Sequence, residues 1–387
     1  MELKWLEYIR NIRDDNMLKI KEARENGDHV VGIYCAYSPR ELVMAAGAIP
    51  VSLCGTSEEP IPAAEKDLPR NLCPLIKSSY GFAVTDTCPY FHMCEILIGE
   101  TTCDGKKKMF ELLGHIKPVH VMNLPRMPEQ ESSLELWYRE LLRLKMVLEQ
   151  TFQVEITDEV LWVAIRITNE ENRAIKELFD LNRARPALIS GSDLITASYQ
   201  SEFATDNKQG IEIIDHLVKE IKELAAQGYK VGDEDAPRIL LTGTPVAEGT
   251  DKVVKLVEEL GGLIVAMENC GGYKTVELVI DENDDREPLR LLAEKYLQIP
   301  CSVMSPNTKR LELIERMVRD FQIDGVIDLT WQACHTYNVE SYLVSNLVKN
   351  KLGLPFMQLE TDYSSSDLEV LRVRVQAFLE IIQAAII

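Results

Sequence analysis

Short apolar segments alternate with helical patterns in two separate stretches of this 387-residue chain. From His29 the apolar run HVVGIYC is followed by the helical pattern SPRELVMAAGA and a second apolar run, IPVSLC. Strands that alternate with helices in this way are typical of βαβ units, in which the strands are parallel. The sequence therefore predicts an α/β fold with Rossmann-like parallel sheets.

The alternation occurs twice, with a purely helical stretch between the two occurrences. A chain of this length is also expected to form more than one domain, at about 100–200 residues each. No alignable repeat relates the two halves, so their likeness is architectural. We expect an N-terminal helical segment (1–27), a first α/β domain (28–130), a helical region (131–235) and a second α/β domain (236–387).

The charge balance limits the partners of the protein. The chain has 62 Asp and Glu residues and 42 Lys and Arg residues, which gives a formal net charge of -20. Such a field repels nucleic acid and anionic membrane surfaces. The sequence has no apolar run long enough for a membrane helix and no secretory leader, which favours a cytoplasmic protein.

Nine cysteines are the feature that indicates chemistry. Cytosolic thiols stay reduced and an odd count leaves one over, so disulfides explain them poorly. Five follow predicted strands, at the sheet edge where ligands bind in parallel folds, namely Cys35, Cys54, Cys103, Cys270 and Cys334. No two are spaced C-x-x-C, which counts against zinc ribbons and thioredoxin-type pairs. A shared metal site is the leading interpretation, while Cys94 is expected to be a small buried residue.

Several charged residues near these cysteines are candidates for a supporting role. Lys77 follows Cys73, and the lysines at 106–108 follow Cys103, which is expected at a helix N-terminus. Positive charge and a helix N-terminus both favour the thiolate form of a cysteine. A solvated helix face is the alternative for the last two of these lysines. No P-loop or dinucleotide fingerprint is present. The candidates for proton transfer are Glu41, Glu100 and His335, for which a hydrogen bond or helix cap is the structural alternative.

Five motifs in the chain resemble a known family: GIYCAYSPRELVMAAGAIPVSLCG, EKDLPRNLCPLIKSSYGF, IGETTCDGKKKMFELL, QACHTYNVESY and LPFMQLETDYSSSD. They resemble the superfamily of 2-hydroxyacyl-CoA dehydratase component D and benzoyl-CoA reductase subunits. The branch that they resemble most is that of the double-cubane cluster proteins. This resemblance, which runs from about residue 28 to the C-terminus, implies an oxygen-sensitive iron–sulfur cluster in a cleft between the two α/β domains.

The resemblance also implies a set of cluster ligands. In the dehydratases three cysteines hold a four-iron, four-sulfur cubane, and the matching motifs assign that role here to Cys73, Cys103 and Cys334. A double-cubane cluster, with eight irons and nine sulfurs, needs six thiolates. For the other three we expect Cys88, Cys270 and Cys301, with Cys35 as the reserve candidate.

The function implied by the resemblance is an iron–sulfur reductase that reduces a small molecule. Its low-potential electrons would come from an activator-type ATPase with a cluster of its own, which docks transiently, with the face at 106–108 as part of the docking surface. The chain itself is expected to form a homodimer. Two alternatives stay open: a subunit of a 2-hydroxyacyl-CoA dehydratase with a single four-iron cluster, and a non-catalytic electron carrier.

Overall fold

The computed structural model describes residues 3–201 and 207–386, and parallel strands form its two sheets. The first half begins with a long helix and continues with four strands and the helices that connect them. Its elements are α1 (Lys4–Glu25), β1 (His29–Ile33), α2 (Arg40–Ala45), β2 (Ala48–Ser52), α3 (Ile61–Ala64), α4 (Pro74–Thr85), α5 (Pro89–Met93), β3 (Ile96–Glu100), α6 (Asp104–Leu113) and β4 (Val119–Met122).

Helices and four further strands make up the remainder of the chain. The helices between the sheets are α7 (Glu131–Phe152), α8 (Asp158–Asp180), a 3-10 turn (Leu181–Arg183), α9 (Gly191–Ser201) and α10 (Asn207–Ala225). The second half contains β5 (Arg238–Gly243), α11 (Lys252–Glu259), β6 (Leu263–Met267), α12 (Tyr273–Val276), α13 (Pro288–Leu297), α14 (Thr308–Asp320), β7 (Gly325–Trp331), α15 (His335–Asn346), a π-helical turn (Leu347–Lys351), β8 (Phe356–Thr361) and α16 (Leu368–Ile386).

Both sheets have the same topology. Their strand orders are β2-β1-β3-β4 and β6-β5-β7-β8, and every pairing is parallel. Every residue of β3, β5, β6 and β7 is buried, because helices cover both faces of the sheets. The predicted α/β class with two Rossmann-like parallel sheets is confirmed, and the domain boundaries stay a prediction.

Helix α13 packs away from the sheet that its place in the chain suggests. It contacts α7 and α8, and its Leu292 and Tyr296 share a core with Trp137 of α7 and Val31 of β1. A segment assigned by sequence to the second α/β domain thus completes the core beneath the first sheet. The loop that follows α13 carries Cys301 toward that sheet.

Helix α6 lies directly against β3. At Gly99 an added Cβ would stand 2.5 Å from Cζ of Phe110, whose ring is 1% exposed. Only a glycine permits this approach, which fixes the height of α6 over the sheet. Among residues 3–201 and 207–386, no helix combines the length and apolar composition that a membrane span requires.

Candidate functional site

The strand order creates one crevice in each sheet. In the first sheet the chain leaves β1 toward β2 on one side and β3 lies on the other, so the carboxyl ends of β1 and β3 flank a topological switch point. Cys35 lies two residues beyond β1, and Cys103 lies three residues beyond β3. Cys334 lies three residues beyond β7, at the equivalent place in the second sheet. The positions predicted at strand ends are thus observed.

Four of the cysteines each stand immediately before a helix, and three of these four interact with one another. Cys73 precedes α4, Cys103 precedes α6 and Cys334 precedes α15. The Cys73 and Cys334 thiols form a hydrogen bond, and each interacts electrostatically with the other. Cys103 interacts electrostatically with both, and its Sγ accepts the N–H of Lys106 at 3.4 Å. We call Cys73, Cys103 and Cys334 the first thiol group.

The acidities of the first thiol group differ because of hydrogen bonding. The bond from Cys334, with the N–H groups at the start of α4, lowers the pKa of Cys73 despite its burial. The pKa of Cys334 is raised in turn, since it keeps the second proton of the pair. Burial raises the pKa of Cys103, although the N–H and the charge of Lys106 oppose it. The lysine and the helix N-terminus thus favour the thiolate of Cys103, as the sequence predicts, but in the metal-free chain burial outweighs both effects.

Three other cysteines form a second thiol group: Cys35, Cys270 and Cys301. Cys35 interacts electrostatically with Cys270 and Cys301, and Cys270 interacts with Cys301. The Tyr37 hydroxyl donates to the carbonyl of Ile299 at 2.7 Å, which joins the loop after β1 to the loop that holds Cys301. Burial raises the pKa of Cys270 to about 11 and raises that of Cys35 well above its ordinary value.

The remaining three cysteines lie apart from this pattern. Cys88 precedes the short helix α5 and accepts the N–H of Phe91 at 3.5 Å, and its charged neighbours include Asp86. Cys94 closes the same helix, is 3% exposed and donates to the carbonyl of Tyr90. Cys54 donates to the carbonyl of Tyr34 at 3.1 Å. The structure thus brings Cys35, and not Cys88, to Cys270 and Cys301.

The donor set suits a cluster better than a single ion. All nine cysteines are free, and both thiol groups consist of sulfur donors only. Within the described residues no three His, Cys, Asp or Glu side chains converge tightly enough for one metal ion. In an iron–sulfur cluster each thiolate binds a different iron, so the thiols stand farther apart. Free cysteines that supply sulfur alone are the donor type that iron–sulfur clusters use.

The lysines near the first thiol group divide into two buried ones, Lys77 and Lys106, and two exposed ones. Lys106 is 8% exposed, and its Nζ donates to the carbonyl of Tyr34 at 2.6 Å. Lys107 and Lys108 are exposed, and Lys108 pairs with Glu111. Lys77 forms an ion pair with Glu65 at 2.8 Å. A docking surface at 106–108 can therefore include Lys107 and Lys108 only.

The three candidates for proton transfer occupy different environments. Glu41 is fully buried and accepts bonds from Lys295 at 2.8 Å, Tyr296 at 2.7 Å and Thr168 at 2.9 Å. His335 is an exposed residue at the start of α15. Glu100 is fully buried, and burial raises its pKa to about 7.

Glu100 is the candidate whose surroundings leave it partly unsatisfied. Its Oε1 accepts the Ser38 hydroxyl, while its Oε2 has no hydrogen-bond partner among the described residues. Lys106 interacts with it electrostatically without forming an ion pair in the part of the chain that the structure describes. Of the three candidates, Glu100 alone combines burial with a pKa close to neutrality.

A cavity of about 220 Å³ lies beside the second thiol group. Cys35, Cys54 and Cys270 border it, and so does Asn269, which is 1% exposed and whose Nδ2 has no hydrogen-bond partner among the described residues. Nothing in the sequence pattern singles out Asn269, because its role depends on the cavity that the fold creates around it.

Two cations among the described residues line this cavity, and each is paired. Arg40 pairs with Glu171 at 3.2 Å, and Lys295 pairs with Glu41 at 2.8 Å. The charges of the wall therefore balance.

Comparisons with known proteins cover nearly the whole chain. It is 45% identical to the putative dehydratase subunit YjiM of Escherichia coli strain K12, over 96% of each chain. It is 25% identical to the (R)-phenyllactyl-CoA dehydratase beta subunit of Clostridium sporogenes, over 93% of this chain and 94% of the relative. A benzoyl-CoA reductase subunit of Thauera aromatica is 19% identical, over 92% of this chain and 91% of the relative.

A family model matches residues 35–382, which include all nine cysteines. Its description is 2-hydroxyglutaryl-CoA dehydratase, D-component. The match and the relatives agree with the resemblance seen in the five motifs. The chain therefore belongs to the 2-hydroxyglutaryl-CoA dehydratase D-component family.

Proposed function

We propose that the protein is an iron–sulfur reductase whose six cysteines in the first and second thiol groups hold a double-cubane cluster. In this proposal Cys35, the reserve candidate, takes the place for which Cys88 is expected from the sequence. Electrons of low potential come from an activator-type ATPase, and the chain pairs as a homodimer. The observation that carries the proposal is the presence of two three-thiol groups with one buried lysine reaching from one to the other.

The preference for Cys35 over Cys88 rests on neighbours and on topology. Cys35 interacts electrostatically with Cys270 and Cys301, whereas the electrostatic interaction of Cys88 is with Cys94. Cys35 also follows β1, which borders the switch point of the first sheet. With Cys73, Cys103 and Cys334, the set Cys35, Cys270 and Cys301 completes the six ligands.

The chain supplies an environment that can hold such a cluster. Bound there, two joined cubanes would supply more than one low-potential electron to a substrate. The N-termini of α4, α6 and α15 direct backbone N–H groups at the first thiol group, which favours its thiolate form once a metal replaces the protons.

The cavity supports a small uncharged substrate. Its cations among the described residues are neutralised by Glu41 and Glu171. That part of the wall therefore offers no unbalanced positive charge to the phosphates of a coenzyme A thioester. The Nδ2 of Asn269 offers a hydrogen bond to an acceptor atom. Placing such a molecule beside Cys35 and Cys270 would bring it next to the second thiol group.

A dehydratase subunit is the second candidate function, and the names of the relatives favour it. Such a subunit needs only the first thiol group, for a single four-iron cluster, so the second group would have no ligand role. An electron carrier is the third. It would hold the cluster but consume no substrate.

Coupled turnover tests the proposal. The anaerobically purified protein, the activator-type ATPase, a reductant and ATP together should consume a small reducible substrate. Omitting ATP should stop the reaction. An unchanged rate without ATP would refute the coupling, and conversion of a 2-hydroxyacyl-CoA by this chain with a partner subunit would favour the dehydratase instead.

A further inference from the structure

Lys106 is a buried cation without a carboxylate partner among the described residues. Its side chain is surrounded by protein, and in that part of the chain its ammonium forms no ion pair. Two other buried lysines near the thiols differ, because Lys77 pairs with Glu65 at 2.8 Å and Lys274 pairs with Glu268 at 3.1 Å. An unpaired charge in the interior costs several kcal/mol unless something compensates for it. The groups that interact electrostatically with Lys106 are Cys35, Cys54, Glu100 and Cys103. Negative charge at these thiols would compensate the ammonium.

The path of the Lys106 side chain joins the two thiol groups. Its backbone N–H donates to Sγ of Cys103 in the first group. Its Nζ reaches the carbonyl of Tyr34, the residue directly before Cys35 of the second group. Cys54 donates to that same carbonyl, so a third thiol stands beside the ammonium. One lysine thus touches the surroundings of both groups.

The position of Lys106 in α6 accounts for its direction. Lys106, Met109, Phe110 and Leu113 are the buried residues of this helix, at a spacing of three, four and seven. Lys107 and Lys108 fall on the opposite face. The close approach of α6 to Gly99 holds the inner face, and with it the ammonium, at a fixed depth.

We infer that Lys106 is a positioning residue that supplies a fixed positive charge between the two thiol groups, holding the anionic cluster and favouring its reduced form. The inference rests on the proposed function and adds a role for a residue outside the ligand set. A cation buried beside an electron acceptor stabilises the added negative charge, and little solvent is present to screen it. Removing the charge should lower the reduction potential.

The charge can be removed while the length of the side chain is kept. Lys106→Met is the test variant, Lys106→Arg restores the charge, and Lys107→Met removes an exposed lysine one residue away. A reductive titration of the iron-loaded protein, followed by electron paramagnetic resonance, measures the potential. We expect Lys106→Met to lower the reduced-to-oxidised ratio at a fixed potential at least tenfold, about 59 mV for one electron. Lys106→Arg and Lys107→Met should stay near the wild type.

A second readout needs no cluster. In the metal-free protein Lys106 forms no ion pair among the described residues, and at pH 6 Glu100, whose pKa burial raises to about 7, is mostly protonated. Measured at that pH, Lys106→Met should therefore raise the urea midpoint of unfolding by roughly 0.5 M or more. Loss of iron from Lys106→Met alone, with iron kept in Lys106→Arg, also supports the inference. Equal potentials and equal urea midpoints in Lys106→Met and Lys107→Met would overturn it, and so would loss of iron from both Lys106 variants.

These results separate the inference from the proposed function. A wild-type protein that binds no iron would overturn the proposed function and this inference with it. Iron-loaded variants that share the wild-type potential would overturn the inference alone.

Discussion

Neutralising Glu41 should destabilise the fold rather than stop chemistry. Its carboxylate is fully buried and accepts three bonds, from Lys295, Tyr296 and Thr168. These residues lie on α13 and α8, so Glu41 of α2 ties both helices to the first sheet. Glu41→Gln keeps the shape but leaves the ammonium of Lys295, whose side chain is 9% exposed, without its partner.

The size of this effect follows from the burial of the pair. Breaking a buried ion pair from one side costs about 3–5 kcal/mol. With an m-value of about 3 kcal/mol/M, that cost lowers the urea midpoint by roughly 1–1.7 M. The double variant Glu41→Gln/Lys295→Met removes both charges, and it should recover part of the loss. A double-mutant cycle therefore gives a coupling energy of at least about 1 kcal/mol.

The pair also has a pH signature. Although burial opposes its charge, Lys295 and the hydrogen bonds lower the pKa of Glu41 below its ordinary value. The pKa of Glu41 is lower in the folded protein than in the unfolded chain. Its contribution to the free energy of unfolding is therefore complete above about pH 4.3 and is lost as the pH falls through the folded-state pKa. The difference between wild type and Glu41→Gln should shrink in that acid range. A stable Glu41→Gln protein that has lost turnover would refute this reasoning and make Glu41 catalytic.

Three further perturbations test other parts of the structure. Gly99→Ala places a Cβ 2.5 Å from the ring of Phe110 and should lower stability by about 1–3 kcal/mol; an unchanged urea midpoint would show that α6 can move. Burial raises the pKa of Glu100 in the folded state to about 7, above its value in the unfolded chain. The stability that the protonated Glu100 contributes is therefore present in acid and is lost as the pH rises toward 7. Glu100→Gln in the metal-free protein should remove about 3 kcal/mol of pH dependence between pH 5 and 8, and an unaltered slope would contradict the burial argument. Arg310→Met leaves three buried carboxylates, including Glu268 at 3.2 Å, and should cost at least about 3 kcal/mol; a midpoint close to that of the wild type would show that water reaches them.

The arrangement of strands was predictable, and the grouping of the thiols was only partly so. The apolar runs before Cys35, Cys103 and Cys334 indicate strands because parallel strands buried on both faces are continuously apolar. That Cys73 meets Cys334, 261 residues later, depends on how the two halves pack. No local pattern encodes that contact.

The sequence-based preference for Cys88 shows where strand order matters. Choosing Cys88 gives each half of the chain three ligands, a count that ignores which strand ends are adjacent. Once β1 is known to lie beside β3, Cys35 and Cys103 flank the same crevice. The inward direction of Lys106 had a local signal, since it shares the spacing of Met109, Phe110 and Leu113. This spacing is overlooked when the lysines at 106–108 are treated as one charged run.

Counting iron and sulfide in three anaerobically reconstituted proteins tests the central claim most directly. The wild type should bind about eight irons per chain, because two cubanes carry four each. Cys88→Ala should bind the same amount, whereas Cys35→Ala should lose iron. About four irons in the wild type, or loss of iron from Cys88→Ala with full retention in Cys35→Ala, would contradict the assignment of the six ligands to the two thiol groups.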